Sequence, residues 1–379
     1  MSKRSIFEEV GPEGATQKAA PTPGLIDRGQ DRGRGAVRIW LFVLGLLVVA
    51  MIAVGGLTRL TDSGLSITEW KPVTGALPPM SQAGWESEFG KYQQIPEFAL
   101  QNSAMSLEDF KSIYWWEWSH RQLGRIIGLV WAAGFAFFLA TKRMPPGFAK
   151  RTGLLGVLGG LQGAIGWWMV SSGLGGEMTD VASYRLAVHL GLAFTILGLI
   201  TWTMLLLSRP SHELIAARRA KEPKLFSMAT GWMHFAMLQI LLGALVAGID
   251  AGRTFTDWPL MAGGIFPLDM WSLSPFWTNF FENPGTVQFM HRLSGYLLVI
   301  FGIVVWRRSR RSGNDNTRMA FSIAAGLLLW QLALGIATVL HAAPLQLAIA
   351  HQFTAILLWI AIIRARFFAQ YPKAQSVRG

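Results

Sequence analysis

Four of the seven histidines in this 379-residue chain, His120, His189, His291 and His351, recur at matching places in four long apolar stretches. Each lies one or two helical turns in from the same end of its stretch, roughly 5–10 Å at the α-helical rise. In an antiparallel four-helix bundle the second and fourth helices run the same way. His120 is therefore expected to face His189, and His291 to face His351. Two neutral imidazoles at equal depth on opposed helices form the axial-ligand set of one haem iron. An ionisable group inside an apolar span is a functional group before it is anything else. The competing reading, four structural histidines bonded to backbone, leaves the matched depth unexplained. His212, His234 and His341 read as a loop, an interior and a surface residue.

Three residues before the two His-Arg pairs the halves differ: Glu117 precedes His120-Arg121, and Gln288 precedes His291-Arg292. That spacing puts Glu117 on the helix face of His120. A carboxyl beside a haem can carry a proton, whereas a carboxamide cannot titrate. The first half therefore reads as built for chemistry and the second for electron supply. Arg121 and Arg292 are candidates for pairing with haem propionates, which suit bidentate donors; snorkelling to lipid headgroups is the alternative. Arg125 and Arg185 are weaker candidates for the same role.

The elements that must position these residues are membrane spans. Apolar residues make up 51% of the chain and charged ones only 15%, against about 25% in soluble proteins. Stretches of about 20 apolar residues suit a bilayer core, and eight occur: about 37–57, 115–140, 152–172, 185–207, 226–249, 287–306, 319–340 and 347–368. With the N-terminus in the cytoplasm, 25 of the 34 Lys and Arg fall in cytoplasmic tails and loops. That bias orients spans and predicts both termini inside. It also accounts for the net charge of +12 without invoking nucleic acid; the surrounding partner is membrane lipid. No cysteine is present, which excludes disulfides and thiolate metal sites. Residues 1–36 read as a polar cytoplasmic tail, with neither a secretory signal nor a transit peptide.

Two outer connections are long, about 58–114 and 250–286, and neither shows obvious helices. The first opens with turn residues (Asp62, Ser63, Gly64, then Pro72, Pro78 and Pro79), which predicts an ordered lid at its start. The halves also repeat. Gly64-Leu-Ser-Ile-Thr-Glu-Trp70 resembles Gly252-Arg-Thr-Phe-Thr-Asp-Trp258, and Val54-Gly-Gly-Leu57 resembles Val246-Ala-Gly-Ile249. Gln162 and Gly166 on the third span match Gln331 and Gly335 on the seventh. The expected fold is all-α: eight transmembrane helices as two four-helix bundles related by an axis along the membrane normal. The first bundle is 37–207, the linker 208–225, the second bundle 226–368, and a tail covers 369–379.

The run Gly55-Gly-Leu-Thr-Arg-Leu-Thr-Asp-Ser-Gly-Leu-Ser-Ile-Thr-Glu-Trp-Lys-Pro72, continued by Gly75-Ala-Leu-Pro-Pro79, resembles the signature of the haem A synthase family. Glu117-Trp-Ser-His-Arg121 is similar to that family's Glu-x-x-His-Arg element. The resemblance spans about 37–368. It implies an enzyme of the bacterial cell membrane, rather than the mitochondrial inner membrane, that oxidises a methyl substituent of haem O to the formyl group of haem A by successive hydroxylation. It implies resident haem b on His291 and His351, substrate haem between His120 and His189, and Glu117 as the residue required for turnover. It further implies haem O synthase as supplier, an electron donor of unknown identity, and delivery of product to terminal cytochrome oxidase. Some family members carry an outer-loop cysteine pair; this chain resembles the subgroup without it.

Two other readings compete. A dihaem cytochrome that only moves electrons explains the four histidines but not the contrast of Glu117 with Gln288. A transporter with repeated halves explains the repeat but not the matched histidine pairs.

Overall fold

The computed structural model describes residues 33–375. The expected N-terminal tail lies outside the described residues except for 33–36, as do 376–379 of the C-terminal tail. Among the described residues eight helices are long and apolar enough to cross a membrane. They are α1 (Arg34–Leu60), α4 (Leu107–Ala140), α5 (Phe148–Val170), α6 (Ser183–Leu207), α8 (Pro223–Gly248), α10 (Pro284–Ser309), α11 (Asp315–Leu340) and α12 (Leu345–Gln370). All eight expected spans are present, and the chain is a multi-pass membrane protein.

Four shorter helices lie outside the spans: α2 (Gln82–Tyr92), α3 (Pro96–Leu100), α7 (Ser211–Arg219) and α9 (Asn279–Glu282). The first long connection thus contains two helices that its composition did not announce. Span α4 also begins at Leu107 rather than near 115. Its start is fixed by a capping box in which Ser106 accepts from the Asp109 backbone and Asp109 accepts from the Ser106 backbone. The extra turns carry Phe110 and Tyr114, which pack with Leu65, Ile67, Tyr92 and Ile95 into an apolar cluster beneath the connection. Trp85 meets Tyr114 edge-on, with ring centroids 5.0 Å apart.

Within the first half α1 packs on α4 and α6, and α5 packs on α4 and α6; within the second half α8 packs on α10 and α12, and α11 on α10 and α12. The halves meet where α6 packs against α8 and α12, and α1 against α12. Trp359 on α12 donates to the Phe194 carbonyl of α6 at 2.9 Å, and Gln352 donates to the Ile52 carbonyl of α1 at 2.6 Å. Lipid offers apolar surfaces no hydrophobic drive to associate, so close packing and such hydrogen bonds hold spans together.

Both described termini lie at one end of the bundle. There Arg34 donates to the Leu206 carbonyl at 2.7 Å, and the Glu222 amide donates to the Ala369 carbonyl at 3.0 Å. The long connections lie at the opposite end, which is also the end of the four histidines. At that end Arg59 of α1 joins three connections, pairing with Asp62 at 2.7 Å, Asp180 at 3.5 Å and Asp250 at 2.8 Å.

Beside this cluster Glu97 of α3 is buried, and its Oε2 has no hydrogen-bond partner. Burial pushes its carboxyl up to about 8; Asp180, Asp62 and Glu117 push the same way, and only Arg59 opposes. Tyr92 also faces it. An unfolded glutamate titrates near 4.3. Between these values the folded chain holds the extra proton, so this group's contribution to stability is full below about 4.3 and is lost as pH rises through about 8. Glu97→Gln should remove that dependence. Melting temperature in detergent from about pH 5 to pH 9 should fall by several degrees less in the variant than in the wild type. Equal slopes would show that Glu97 ionises freely.

Candidate functional site

Each of the four histidines rests against a glycine of the preceding span. A Cβ added at Gly55 would meet His120 Cε1 at 2.8 Å, one at Gly166 would meet His189 Cε1 at 2.9 Å, and one at Gly243 or Gly335 would meet His291 or His351 Cε1 at 3.0 Å. Real Cβ atoms essentially never approach as closely as the first two, and at 3.0 Å the ring would have to give by a few tenths of an ångström, so each glycine limits how far its ring penetrates. His120 and His189 are close enough to influence each other electrostatically, as are His291 and His351. The structure thus places the members of each expected pair on helices of the same half, within electrostatic reach of each other.

Three of the four rings have a second fixed neighbour. Gln162 Nε2 donates to the His189 carbonyl at 3.0 Å and lies 3.2 Å from both ring nitrogens. Gln239 does the same at His291, 3.0 Å from the carbonyl and 3.1 Å from Nδ1. Gln331 repeats it at His351, at 3.0 and 3.3 Å. The amide oxygens of Gln162 and Gln331 are buried without partners. The amide nitrogen is a donor, so it orients each ring and holds its carbonyl but does not supply the acceptor that a ligand's Nδ1 proton would take. Two neutral imidazoles per half, carried on helices of the same bundle, are a donor set that fits haem ligation. Open space along α5 fits it too: a Cβ at Gly159, Gly160 or Gly163 would meet nothing within 4 Å.

Sequence reasoning found Gln162–Gly166 and Gln331–Gly335 but missed Gln239–Gly243, which has the same spacing. The cause was an error of register. Matching Val54-Gly-Gly-Leu57 with Val246-Ala-Gly-Ile249 is one helical turn out. The structure aligns Gly55 with Gly243, and it aligns Asp62 with Asp250, both of which adopt left-handed backbone (φ 47° and 51°). The Gly64 and Gly252 motifs fall in the same register.

In that register the two connections are clasped alike. Arg121 donates to the carbonyls of Ile67 at 2.7 Å and Glu69 at 3.0 Å. Arg292 donates to those of Phe255 at 2.8 Å and Asp257 at 3.0 Å, and also to that of Leu260 at 3.0 Å. The guanidinium groups considered for haem propionates thus tie down the connections. Arg125 is likewise engaged with the carbonyls of Pro72 and Lys71. Arg185 donates to the Trp168 carbonyl and lies over that ring at 4.7 Å.

The halves differ at the third member of the clasp. Glu117 is buried, and its Oε2 accepts from Ser66 Oγ at 2.8 Å and the Ile67 amide at 2.6 Å. Its Oε1 accepts from Arg121 Nη2 at 2.6 Å and Nε at 3.0 Å. Gln288 has a single bond, donating to the Phe255 carbonyl at 3.0 Å, and its Oε1 has no partner. Only the first half places an ion-paired carboxylate one turn from a histidine of the pair.

Eight spans with two glycine-seated histidines in each half define a multi-pass membrane protein of repeated halves. Comparison with known families is more specific. Residues 38–363 match the model of a family described as cytochrome oxidase assembly protein, and the chain belongs to that family, the haem A synthases. Proteins named "Heme A synthase" from Ruegeria sp. (strain TM1040), Dinoroseobacter shibae and Paracoccus denitrificans are 62%, 63% and 61% identical to it. Each alignment covers the whole of this chain and at least 98% of the relative.

The clasp predicts a measurable opening. Arg292→Ala removes three charge-assisted bonds to the second connection. Amide hydrogen exchange over 253–262 should rise about tenfold or more, while the first connection keeps its wild-type protection. Unchanged exchange over 253–262 would show that Arg292 does not hold it.

Proposed function

We propose that this protein is a haem A synthase, oxidising a methyl substituent of haem O to the formyl group of haem A by successive hydroxylation. The observation that carries this reading is the asymmetry between two otherwise repeated sites: both present a seated histidine pair, and only the first adds Glu117. His120 and His189 hold the substrate haem. His291 and His351 hold haem b, which supplies one-electron transfer when bound.

The chain's own residues then have distinct tasks. The two imidazoles of the first pair fix the depth of the substrate iron, and so the height of the macrocycle edge relative to Glu117. With dioxygen as the oxidant, each hydroxylation takes up two electrons and two protons and releases one water, so protons as well as electrons must reach the site. Glu117, ion-paired with Arg121, is a carboxyl group that can carry a proton to the reacting edge. Ser66 offers it a hydroxyl that leads toward the connection. The segment Ser63–Ile67, clasped by Arg121, covers this end of the site and excludes water.

The excess of Lys and Arg at the terminal end orients that end to the cytoplasm. Both sites then lie near the outer face of a bacterial inner membrane. Haem O synthase supplies the substrate, an external electron donor serves the second half, and the product passes to terminal cytochrome oxidase.

The test uses a host that makes haem O but lacks its own haem A synthase. Glu117→Gln should leave the haem spectra of the purified protein intact while haem A in extracted pigments falls at least about 100-fold. His291→Ala should lose the haem b signal. Haem A made at wild-type rate by Glu117→Gln would remove the proposed role, and a wild-type protein yielding no haem A would leave electron transfer alone as the function.

A further inference from the structure

The second long connection is apolar where a segment in water should not be. From Trp258 to Phe281 its one charged residue is Asp269. It exposes Leu268 at 91%, Ile265 at 71%, Trp277 at 62% and Phe266 at 60%. Large apolar side chains grouped on a folded surface mark an interaction site.

The course of the segment along α10 identifies the occupant. Gln288 and Arg292 donate to the Phe255 carbonyl at 3.0 and 2.8 Å. Further down the helix, Trp258 Nε1 donates to the Tyr296 hydroxyl at 2.9 Å. The chain then turns back, and Phe266 packs on Phe289 with ring centroids 5.3 Å apart. Tyr296 lies five residues beyond His291, more than one helical turn deeper in the span. The neighbouring face of α10, with Leu293, Leu297 and Ile300, is exposed, and an exposed apolar face of a span looks onto lipid.

Non-helical backbone at that depth persists only where the protein itself satisfies its polar groups. Arg292 does so for the carbonyls of Phe255, Asp257 and Leu260. Met261 and Gly264 exchange amide-to-carbonyl bonds at 2.7 and 3.2 Å. The Asp257 carboxylate accepts from the amides of Ala262 at 2.9 Å and Gly263 at 3.1 Å, with the Arg292 charge close by. The hairpin thus turns its polar groups inward and leaves Leu260, Ile265 and Phe266 outward. We propose that residues 258–277 form a re-entrant wedge docked on the acyl chains of the leaflet at the histidine end. Trp271 and Phe276, packed together at 5.2 Å, and Trp277 then lie at headgroup level, where such rings are favoured. A protein partner would have to displace lipid to cover Leu260 and Phe266 beside α10, whereas acyl chains are already there.

The chain has no cysteine, so single nitroxide labels report one position each. The full-length protein is reconstituted in phosphatidylcholine nanodiscs. Labels on Phe266→Cys and Leu268→Cys should be relaxed by dissolved oxygen and should lose relaxation by a water-soluble nickel chelate, matching Leu297→Cys on the open face of α10. A label on Glu86→Cys, at an exposed position of α2, should show the reverse. A second measurement uses the unsubstituted protein. Phosphatidylcholine carrying a diazirine on its acyl chain should, on illumination, attach to 258–277 as well as to the spans.

Nickel access at 266 and 268 equal to that at 86 puts the segment in water and overturns the inference. Labels shielded there from both oxygen and nickel reveal a protein cover, a second copy or a partner subunit, and overturn it equally. Should a substituted chain fail to fold, photo-adducts on the spans with none in 258–277 overturn it.

Discussion

An imidazole carried on one helix reaches across a bundle only where its neighbour yields space. Gly55, Gly166, Gly243 and Gly335 yield it, each so close to a ring that a single added carbon would collide. Absence of a side chain is thus what sets the depth and direction of all four histidines. The rest of the site follows in order along the chain. Arg121 and Arg292 are the next residues after two of these histidines, so the seat that fixes the ring also fixes where the clasp begins. Glu117 and Gln288 stand one turn earlier on the same face. A glutamine one turn before the glycine then holds the carbonyl of the histidine in three cases of four.

Charge at this end of the molecule is matched locally. A carboxylate out of water is costly unless its partners have good geometry, and Glu117 has four donor atoms from two side chains and one backbone amide. Removing any one of them would leave an uncompensated group in a buried place. Arg59 solves a similar problem on a larger scale. Its guanidinium meets aspartates from three separate connections, one of them in the other half. The connections are therefore held to the helices by ion pairs and to each other through one cation, and the first is further anchored by the Tyr92–Phe110–Tyr114 cluster.

The spans, the four histidines and the contrast of Glu117 with Gln288 were all legible in the sequence, because each rests on local pattern: hydropathy over about 20 residues, or a fixed spacing along one helix. What escaped depends on distant partners. The extension of α4 back to Leu107 contains Glu108, Asp109 and Lys111, which dilute hydropathy, while its apolar Phe110 and Tyr114 face helices that the sequence did not reveal. Arg121 and Arg292 carried the right charge for propionates, yet their guanidinium groups reach backbone carbonyls on segments far away in sequence. Gln239 drew no notice, since a glutamine in an apolar span is matched to Gln162 and Gln331 only once its distance from Gly243 is counted. That comparison required the correct repeat register, and one helical turn of error in α1 was enough to hide it.

The two sites are also closer neighbours than a description of two bundles suggests. Gly55 of α1 seats His120, and the next residue, Gly56, faces the side chain of Gln352, whose own neighbour is His351. A Cβ on Gly56 would overlap the Gln352 carboxamide, which reaches past it to the Ile52 carbonyl at 2.6 Å. Successive residues of a helix are offset by only 1.5 Å along its axis. One turn of α1 therefore touches a ligand of the first site on one side and the residue beside a ligand of the second on the other. Helix α1 serves as a wall shared by the sites, and a shift in it is felt at His120 and next to His351 together. The glycine pair is what makes so thin a wall possible, because larger residues at 55 and 56 would push the first site away from the second.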